Sequence, residues 1–174
     1  MKKIIIFVVM LVAVAGVIGV SAFNKNMDEV VGYIDGTAVK TADLQNYVTN
    51  LLGDSYQKKM DTKEGRQELF GHYVNRTLLL EYAKQNVKKD DGFVQMHTMG
   101  KVETDSALLS SVLKTEINDK VKYTEKDVND LMESDSRFKS FQEAERQLIS
   151  DKRIDLFNKF MENLRAGHKI SLAG

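Results

Sequence analysis

Short apolar runs near both ends of the chain have the pattern of β-strands. The β-branched and aromatic run 30–34 is followed by Asp35-Gly36, which is among the strongest two-residue hairpin signals, so residues 37–39 are predicted to return as a second strand. Near the other end, residues 169–172 alternate between polar and apolar side chains. Because a lone hairpin is marginally stable, we predict that this closing strand joins the opening hairpin in one small antiparallel sheet.

Between these strands, apolar residues recur at helical spacing. A first helix is predicted from Thr41, as its N-cap, to Gly53, as its stop signal, and a long helix over 69–87 is predicted to form the centre of the core. Gly71 lies within this long helix at a cost of ~1 kcal/mol relative to alanine, which indicates close packing against another backbone. Shorter helices are predicted over 93–102, 108–121 and 124–132.

The clearest helix start in the chain is the capping-box pattern Ser140-x-x-Glu143. It predicts a final helix of about 25 residues, which Gly167 can end. Thr124 is predicted to cap the preceding helix, with Asp127 in its first turn. The predicted fold class is therefore mainly helical, with a small terminal antiparallel sheet that combines the opening hairpin and the closing C-terminal strand.

The first 22 residues have a different pattern. Two lysines precede the uncharged run 4–20, which is typical of an export signal, and the small side chains of Ser21 and Ala22 predict cleavage after Ala22. An uncleaved membrane anchor is the alternative, since 4–23 is long enough to cross ~30 Å of hydrocarbon as a helix. In either case the remainder is predicted to lie in the periplasm or on the extracytoplasmic face of the membrane. We divide the chain into a signal or anchor (1–22), a linker (23–28) and one domain (29–174).

Composition narrows the chemistry that the chain can perform. It contains no proline, which favours long uninterrupted helices, and no cysteine, which excludes disulfides and thiolate metal sites. With 25 basic and 25 acidic side chains the formal net charge is zero, so no nucleic-acid partner is expected. The three histidines lie on different predicted elements, and no nucleotide-binding or nucleophile motif is present. We expect no catalytic residue, no cofactor and no metal, and hence no enzyme activity.

Several motifs, in their order, resemble a known family. A hairpin motif spans Val31 to Leu44, a core helix contains the run Leu78 to Ala83, and the helix start Tyr123 to Val128 precedes a returning helix that begins Phe141-Gln142-Glu143-Ala144. Together they resemble the N-terminal chaperone domain of the foldases SurA, PrsA and PpiD, over roughly residues 29–172. The resemblance implies a helical domain that binds unfolded client polypeptides.

The chain departs from this family's usual arrangement at one point. In the family, a parvulin-type proline isomerase domain usually precedes the returning helix, whereas here only residues 133–139 separate Met132 from Ser140. An isomerase domain cannot fit in that interval. The resemblance therefore implies the client-binding half of a foldase without its isomerase domain.

Client binding requires adaptable apolar surface, which methionine and aromatic side chains supply because they repack at little cost. The alternative is that such residues, at helical spacing, are ordinary core. The pair Met96 and Met99 stands out, because the short helix that carries it is the least amphipathic of those predicted. The candidate client-binding residues are Phe93, Met96, Met99, Tyr123 and Met132.

The sequence thus predicts an exported, ATP-independent chaperone or holdase whose partners are unfolded or extended polypeptides. A membrane-tethered structural or adaptor subunit of an envelope complex is the first alternative, and a peptidyl-prolyl isomerase is the second. The membrane is a further partner if the N-terminal helix is retained. A homodimer formed by exchange of the terminal strand or the last helix is also compatible with the pattern, because the closing strand lies far in sequence from its hairpin.

Overall fold

The structure, a computed structural model, describes residues 27–88 and 91–174. The predicted signal or anchor (1–22) and residues 23–26 of the predicted linker lie outside the described residues. Within them, the fold is mainly helical with one small antiparallel sheet, as the hydrophobic pattern predicts.

The sheet joins the two ends of the domain. Strand β1 (Val30–Ile34) lies between β2 (Thr37–Lys40) and β3 (Ile170–Leu172), and both pairings are antiparallel. The hairpin turn has φ of 51° at Asp35 and 83° at Gly36, the left-handed conformations that an Asp-Gly hairpin turn adopts. The predicted opening hairpin and its closing strand are both confirmed.

Asp35 ties the closing strand to this turn. Its backbone N–H donates to the Lys169 carbonyl at 2.8 Å, and its Oδ1 accepts from the Lys169 N–H at 2.7 Å. Its Oδ2 lies 2.6 Å from Nδ1 of His168. The hydrogen bonds from His168 and Lys169 hold the pKa of the Asp35 carboxyl below its ordinary value of 3.8. We call Asp35, His168 and Lys169 the terminal clasp.

The helices of the described residues follow the predicted order. Two 3₁₀ segments, Asp54–Asp61 and Asn118–Lys120, and two π-helical segments, Val48–Leu52 and Leu113–Ile117, connect or extend them. The α-helices are α1 (Thr41–Tyr47), α2 (Lys63–Asn86), α3 (Gly92–Met99), α4 (Thr104–Val112), α5 (Glu125–Ser134) and α6 (Phe141–Ala166).

Capping bonds confirm two of the predicted helix starts. Thr124 Oγ1 accepts from the Asp127 N–H at 3.2 Å while Asp127 Oδ2 accepts from the Thr124 N–H at 2.8 Å, which is a complete capping box at the start of α5. At α6, Ser140 Oγ accepts from the Glu143 N–H at 3.3 Å. The Glu143 carboxylate bonds to the N–H of Lys139 instead of the N-cap N–H, so this second box is shifted by one residue.

The prediction that Thr41 caps the first helix is wrong. Lys40 occupies the N-cap position, and its N–H donates to Asp43 Oδ2 at 2.8 Å. Thr41 is the first helical residue and is buried, and its N–H donates to the Glu29 carbonyl at 2.9 Å. The Ala42 N–H, which a capping hydroxyl could otherwise accept from, donates instead to the Met27 carbonyl at 3.0 Å.

Two clusters of buried side chains stabilise the domain, and α2 contributes to both. The first packs the sheet and α1 against one part of α2, and the second packs α3, α4 and the later part of α6 against the other. The adjacent residues Leu78 and Leu79 belong to different clusters. The buried members of the first are Val31, Val39, Leu44, Val48, Met60, Leu69, Phe70, Val74 and Leu78, and those of the second are Leu79, Ala83, Val94, Ala107, Leu108, Val112 and Met161.

The close approach predicted at Gly71 is absent, and it occurs at Gly32 instead. A Cβ atom built on Gly71 has no neighbour within 4 Å outside its own helix. A Cβ atom on Gly32, in the central strand, would lie 2.6 Å from Cζ of Phe70 and 2.7 Å from the carbonyl oxygen of Ser171. Gly32 therefore permits the sheet to lie directly on α2.

These two glycines form a matched pair of substitutions. Gly32→Ala should lower the free energy of unfolding by about 1–3 kcal/mol, because the buried Phe70 ring and the β3 backbone must both shift. Gly71→Ala should raise it by up to about 1 kcal/mol through helix propensity. Urea denaturation measures both values, and a neutral Gly32→Ala would contradict the proposed packing.

The terminal clasp should make stability depend on pH in the acid range. Because the folded-state pKa of Asp35 is lowered, the carboxylate contributes stability above its ordinary value of 3.8, and this contribution is lost as the pH falls through the folded-state value. In Asp35→Asn, which tolerates the same backbone conformation, the urea midpoint should be lower than in the wild type near neutral pH and should converge with it under acid conditions. The exposed Asp155→Asn serves as the control, and a pH-independent difference for Asp35→Asn would contradict the role of the clasp.

Candidate functional site

Helix α3 presents two methionines to solvent. Asp91 caps the helix by accepting from the N–H groups of Phe93 at 2.9 Å and Val94 at 3.3 Å. Only Val94 is buried on this helix, where it enters the second core cluster. Met96 is 63% exposed and Met99 is 81% exposed. Val94 therefore anchors the helix to the second core cluster, and the two methionines are not part of the core.

Two further apolar residues, Phe93 and Val102, lie near these methionines in the chain. Phe93 is half-buried, with its ring centroid 4.1 Å from that of His97. Beyond the helix, Val102 is exposed, and its N–H donates to the His97 carbonyl at 3.1 Å, which folds the chain back against α3. We call Met96, Met99 and Val102 the methionine patch. Of the sequence candidates, this region brings together Phe93, Met96 and Met99.

The remaining two candidates lie on a separate part of the fold. Tyr123 is 37% exposed, and its hydroxyl donates to Glu145 Oε1 at 2.7 Å; this bond raises the pKa of Tyr123. Met132 is half-buried on α5. The five candidate residues thus do not form one site.

Helix α5 and the start of α6 form an arm with its own small core. Val128 on α5 and Ala144 on α6 are fully buried, yet neither belongs to the two core clusters. Among the described elements, α5 packs chiefly against α6. The connection between the two helices, residues 135–140, is a short turn in which Asp135 pairs with Arg137. We call residues 125–148 the arm.

A groove that the sequence did not indicate lies between α1 and α2. Its volume is ≈ 670 Å³, within the range of about 300–1,000 Å³ that is usual for ligand pockets. Tyr47 and Tyr73 pack edge to face in its wall, with ring centroids 5.6 Å apart, and Leu80 and the 46%-exposed Leu51 add apolar surface. Burial raises the pKa of both tyrosines. We call this the α1–α2 groove.

The helical spacing of the apolar residues could not indicate this groove. Tyr47 and Leu51 are four residues apart, as are the core residues Leu44 and Val48, so the sequence pattern assigned all four to one buried face. The structure places Leu44 and Val48 in the first cluster and leaves Leu51 exposed. The apolar stripe on α1 is wider than a single contact face requires. This excess width is the sequence signal that could have indicated the groove.

The described residues contain no group of three or more histidine, aspartate and glutamate side chains that could hold a metal ion. In the same part of the chain, no helix is long and apolar enough to cross a membrane.

Comparison with known proteins concerns the first half of the chain. The model of the family described as the SurA-like N-terminal domain matches residues 1–91. The chain belongs to this family. No curated protein matches it. Within the SurA-like chain, the matched residues include the sheet hairpin and the α1–α2 groove, with the exception of Asp105 at the groove's edge, whereas the methionine patch and the arm lie beyond them.

The arm should open independently of the rest of this SurA-like domain. Val128→Ala removes buried methyl groups at a cost of about 1–3 kcal/mol, and amide hydrogen exchange in residues 125–148 should accelerate by roughly tenfold or more while exchange in α2 changes little. The matched variant Val94→Ala acts in the second core cluster and should accelerate exchange in α3 instead. Equal acceleration of α2 by Val128→Ala would show that the arm is not a separate unit.

Proposed function

We propose that this protein is an exported, ATP-independent chaperone that holds unfolded or extended polypeptides outside the cytoplasmic membrane. The observation that carries the proposal is the exposure of Met96 and Met99 in a chain of the SurA-like family. That family is associated with unfolded client polypeptides and with the periplasm. The predicted export segment supports the same location.

The chemistry of the methionine patch suits reversible holding. Thioether side chains are flexible and polarisable, so they adapt to apolar residues of different shape. Complete burial of a methionine contributes about 1.5–3 kcal/mol, and association costs at least several kcal/mol in lost freedom. Contacts with this patch should therefore be individually weak, and a client can leave without an energy source.

We further propose that the protein is not an enzyme. The short turn at 135–140 stands where related foldases usually carry their isomerase domain, which argues against the isomerase alternative. The membrane-tethered adaptor remains the competing function, and it differs in a measurable way. An adaptor would bind one folded partner and would leave the aggregation of unrelated unfolded proteins unchanged.

Substitution of the two methionines tests the proposal. The protein is expressed from its full-length coding sequence and purified as the cells produce it. In this protein, Met96→Lys/Met99→Lys should abolish the ability to suppress the aggregation of several unrelated unfolded proteins. The reason is that two charges replace the exposed apolar surface. The melting temperature should change little, because both side chains lie outside the core. Light scattering follows aggregation, and calorimetry gives the Tm.

A control separates loss of apolar surface from added charge. Asn158→Lys/Asn163→Lys places the same two charges at exposed polar positions of α6 and should retain full suppression. If wild-type protein suppresses no aggregation, the proposed holdase function is wrong. If both double variants lose suppression equally, the methionine patch is not the surface that holds clients.

A further inference from the structure

The methionines of the described residues differ widely in their access to solvent. Met96 and Met99 are 63% and 81% exposed, whereas Met60 and Met161 are each 5% exposed and belong to the core clusters. The remaining two are half-buried. A reagent in solution therefore meets the side chains of Met96 and Met99 first.

Methionine carries all of the sulfur chemistry of this chain. The sequence has eight methionines and no cysteine, so no thiol competes with the thioethers for an oxidant. Hydrogen peroxide oxidises a thioether by two electrons: a sulfur lone pair attacks one peroxide oxygen, an S–O bond forms, the O–O bond breaks, and water leaves. The product, methionine sulfoxide, is polar where the thioether is apolar.

Oxidation of the exposed pair should leave the fold intact. Met96 and Met99 lie outside both core clusters, and Val94 is the buried residue that anchors α3. A sulfoxide at Met60 or Met161 would instead place a polar oxygen in the core, and these two side chains become accessible only when the domain opens locally. An oxidant therefore changes the methionine patch before it changes the core.

The two exposed methionines also lie on the same side of their helix. They are three residues apart on α3, a spacing that places neighbouring side chains on one face. Two sulfoxides would thus replace the flexible apolar area of that face with two polar S–O groups. The proposed contact with unfolded polypeptides depends on the apolar area that this change removes.

We propose that Met96 and Met99 form a paired oxidation site, at which a peroxide converts the methionine patch into a sulfoxide surface that no longer holds unfolded polypeptides. The loss of holding rests on the proposed holdase function, whereas the selectivity of the oxidation rests on exposure alone. Reversal requires two electrons and two protons and releases water. The thiols of an external methionine sulfoxide reductase supply them and become a disulfide, with one reductase for each sulfoxide epimer.

Peptide mass spectrometry tests the oxidation site itself. The folded protein, expressed from its full-length coding sequence, is treated with hydrogen peroxide, and the sulfoxide fraction at each methionine is followed with time. Met96 and Met99 should be oxidised at least about tenfold faster than Met60 and Met161, because the buried pair reacts only after local opening. In protein unfolded by urea the four rates should converge. Equal rates in the folded protein would overturn the proposal.

Aggregation suppression tests the consequence of the oxidation, with each protein compared with its own untreated sample. Peroxide-treated wild-type protein should lose most of its suppression while its Tm changes little. Met96→Leu/Met99→Leu has no thioether in the patch, so peroxide should not alter its suppression, whatever the untreated level. The control Met27→Leu, at a half-buried methionine outside the patch, should lose suppression on treatment as the wild type does. Undiminished suppression by wild-type protein that is fully oxidised at Met96 and Met99 would overturn the proposal.

The two measurements separate this inference from the holdase function. If untreated wild-type protein suppresses no aggregation, the holdase function is wrong and the loss of holding falls with it, while the oxidation rates still decide whether the pair is the oxidation site. If the double leucine variant suppresses no aggregation before treatment, reductase treatment of the oxidised wild type decides the consequence. Suppression should return as the sulfoxides at Met96 and Met99 are reduced, and reduction without recovery would overturn the proposal.

Discussion

The burial of two different faces of α2 determines the rest of this structure. Leu69, Phe70 and Val74 pack beneath the sheet and α1, while Leu79 and Ala83 contact the second cluster. A helix in this position must be apolar on more than one face, which explains why its periodicity is less regular than that of a surface helix. The side of α2 that carries Tyr73, Arg76 and Leu80 forms a wall of the α1–α2 groove.

Features set by local chemistry were predictable from the sequence, whereas those set by distant partners were not. The Asp35-Gly36 turn and the Thr124 cap depend on neighbouring residues, and both are confirmed. The errors at Thr41 and Gly71 have a common origin. The Glu29 carbonyl accepts the bond from the Thr41 N–H, and Gly71 faces open space outside its helix. Neither fact can be read from the local sequence pattern.

The candidate site was predictable only in part, for a related reason. Sequence spacing identified Met96 and Met99 as apolar residues of a short helix, but it could not determine that Val94 alone enters the core. The α1–α2 groove was missed because an apolar residue that lines a groove and one that fills a core have the same helical spacing. What differs is the distance to the next element, which depends on how α1 packs against α2.

The α1–α2 groove and the methionine patch differ in the chemistry of their surfaces and in their relation to the family. The groove lies almost entirely within the residues matched by the SurA-like model and is lined by tyrosines, amides and charged side chains of both signs. The methionine patch lies beyond those residues and offers only adaptable apolar area. Because α3 is anchored by Val94, the exposure of its methionines does not weaken the second cluster. Met96 and Met99 lie outside both clusters, so packing in the core does not determine the choice of methionine at these two positions, and their exposed apolar area is the observation on which the proposed client contact rests.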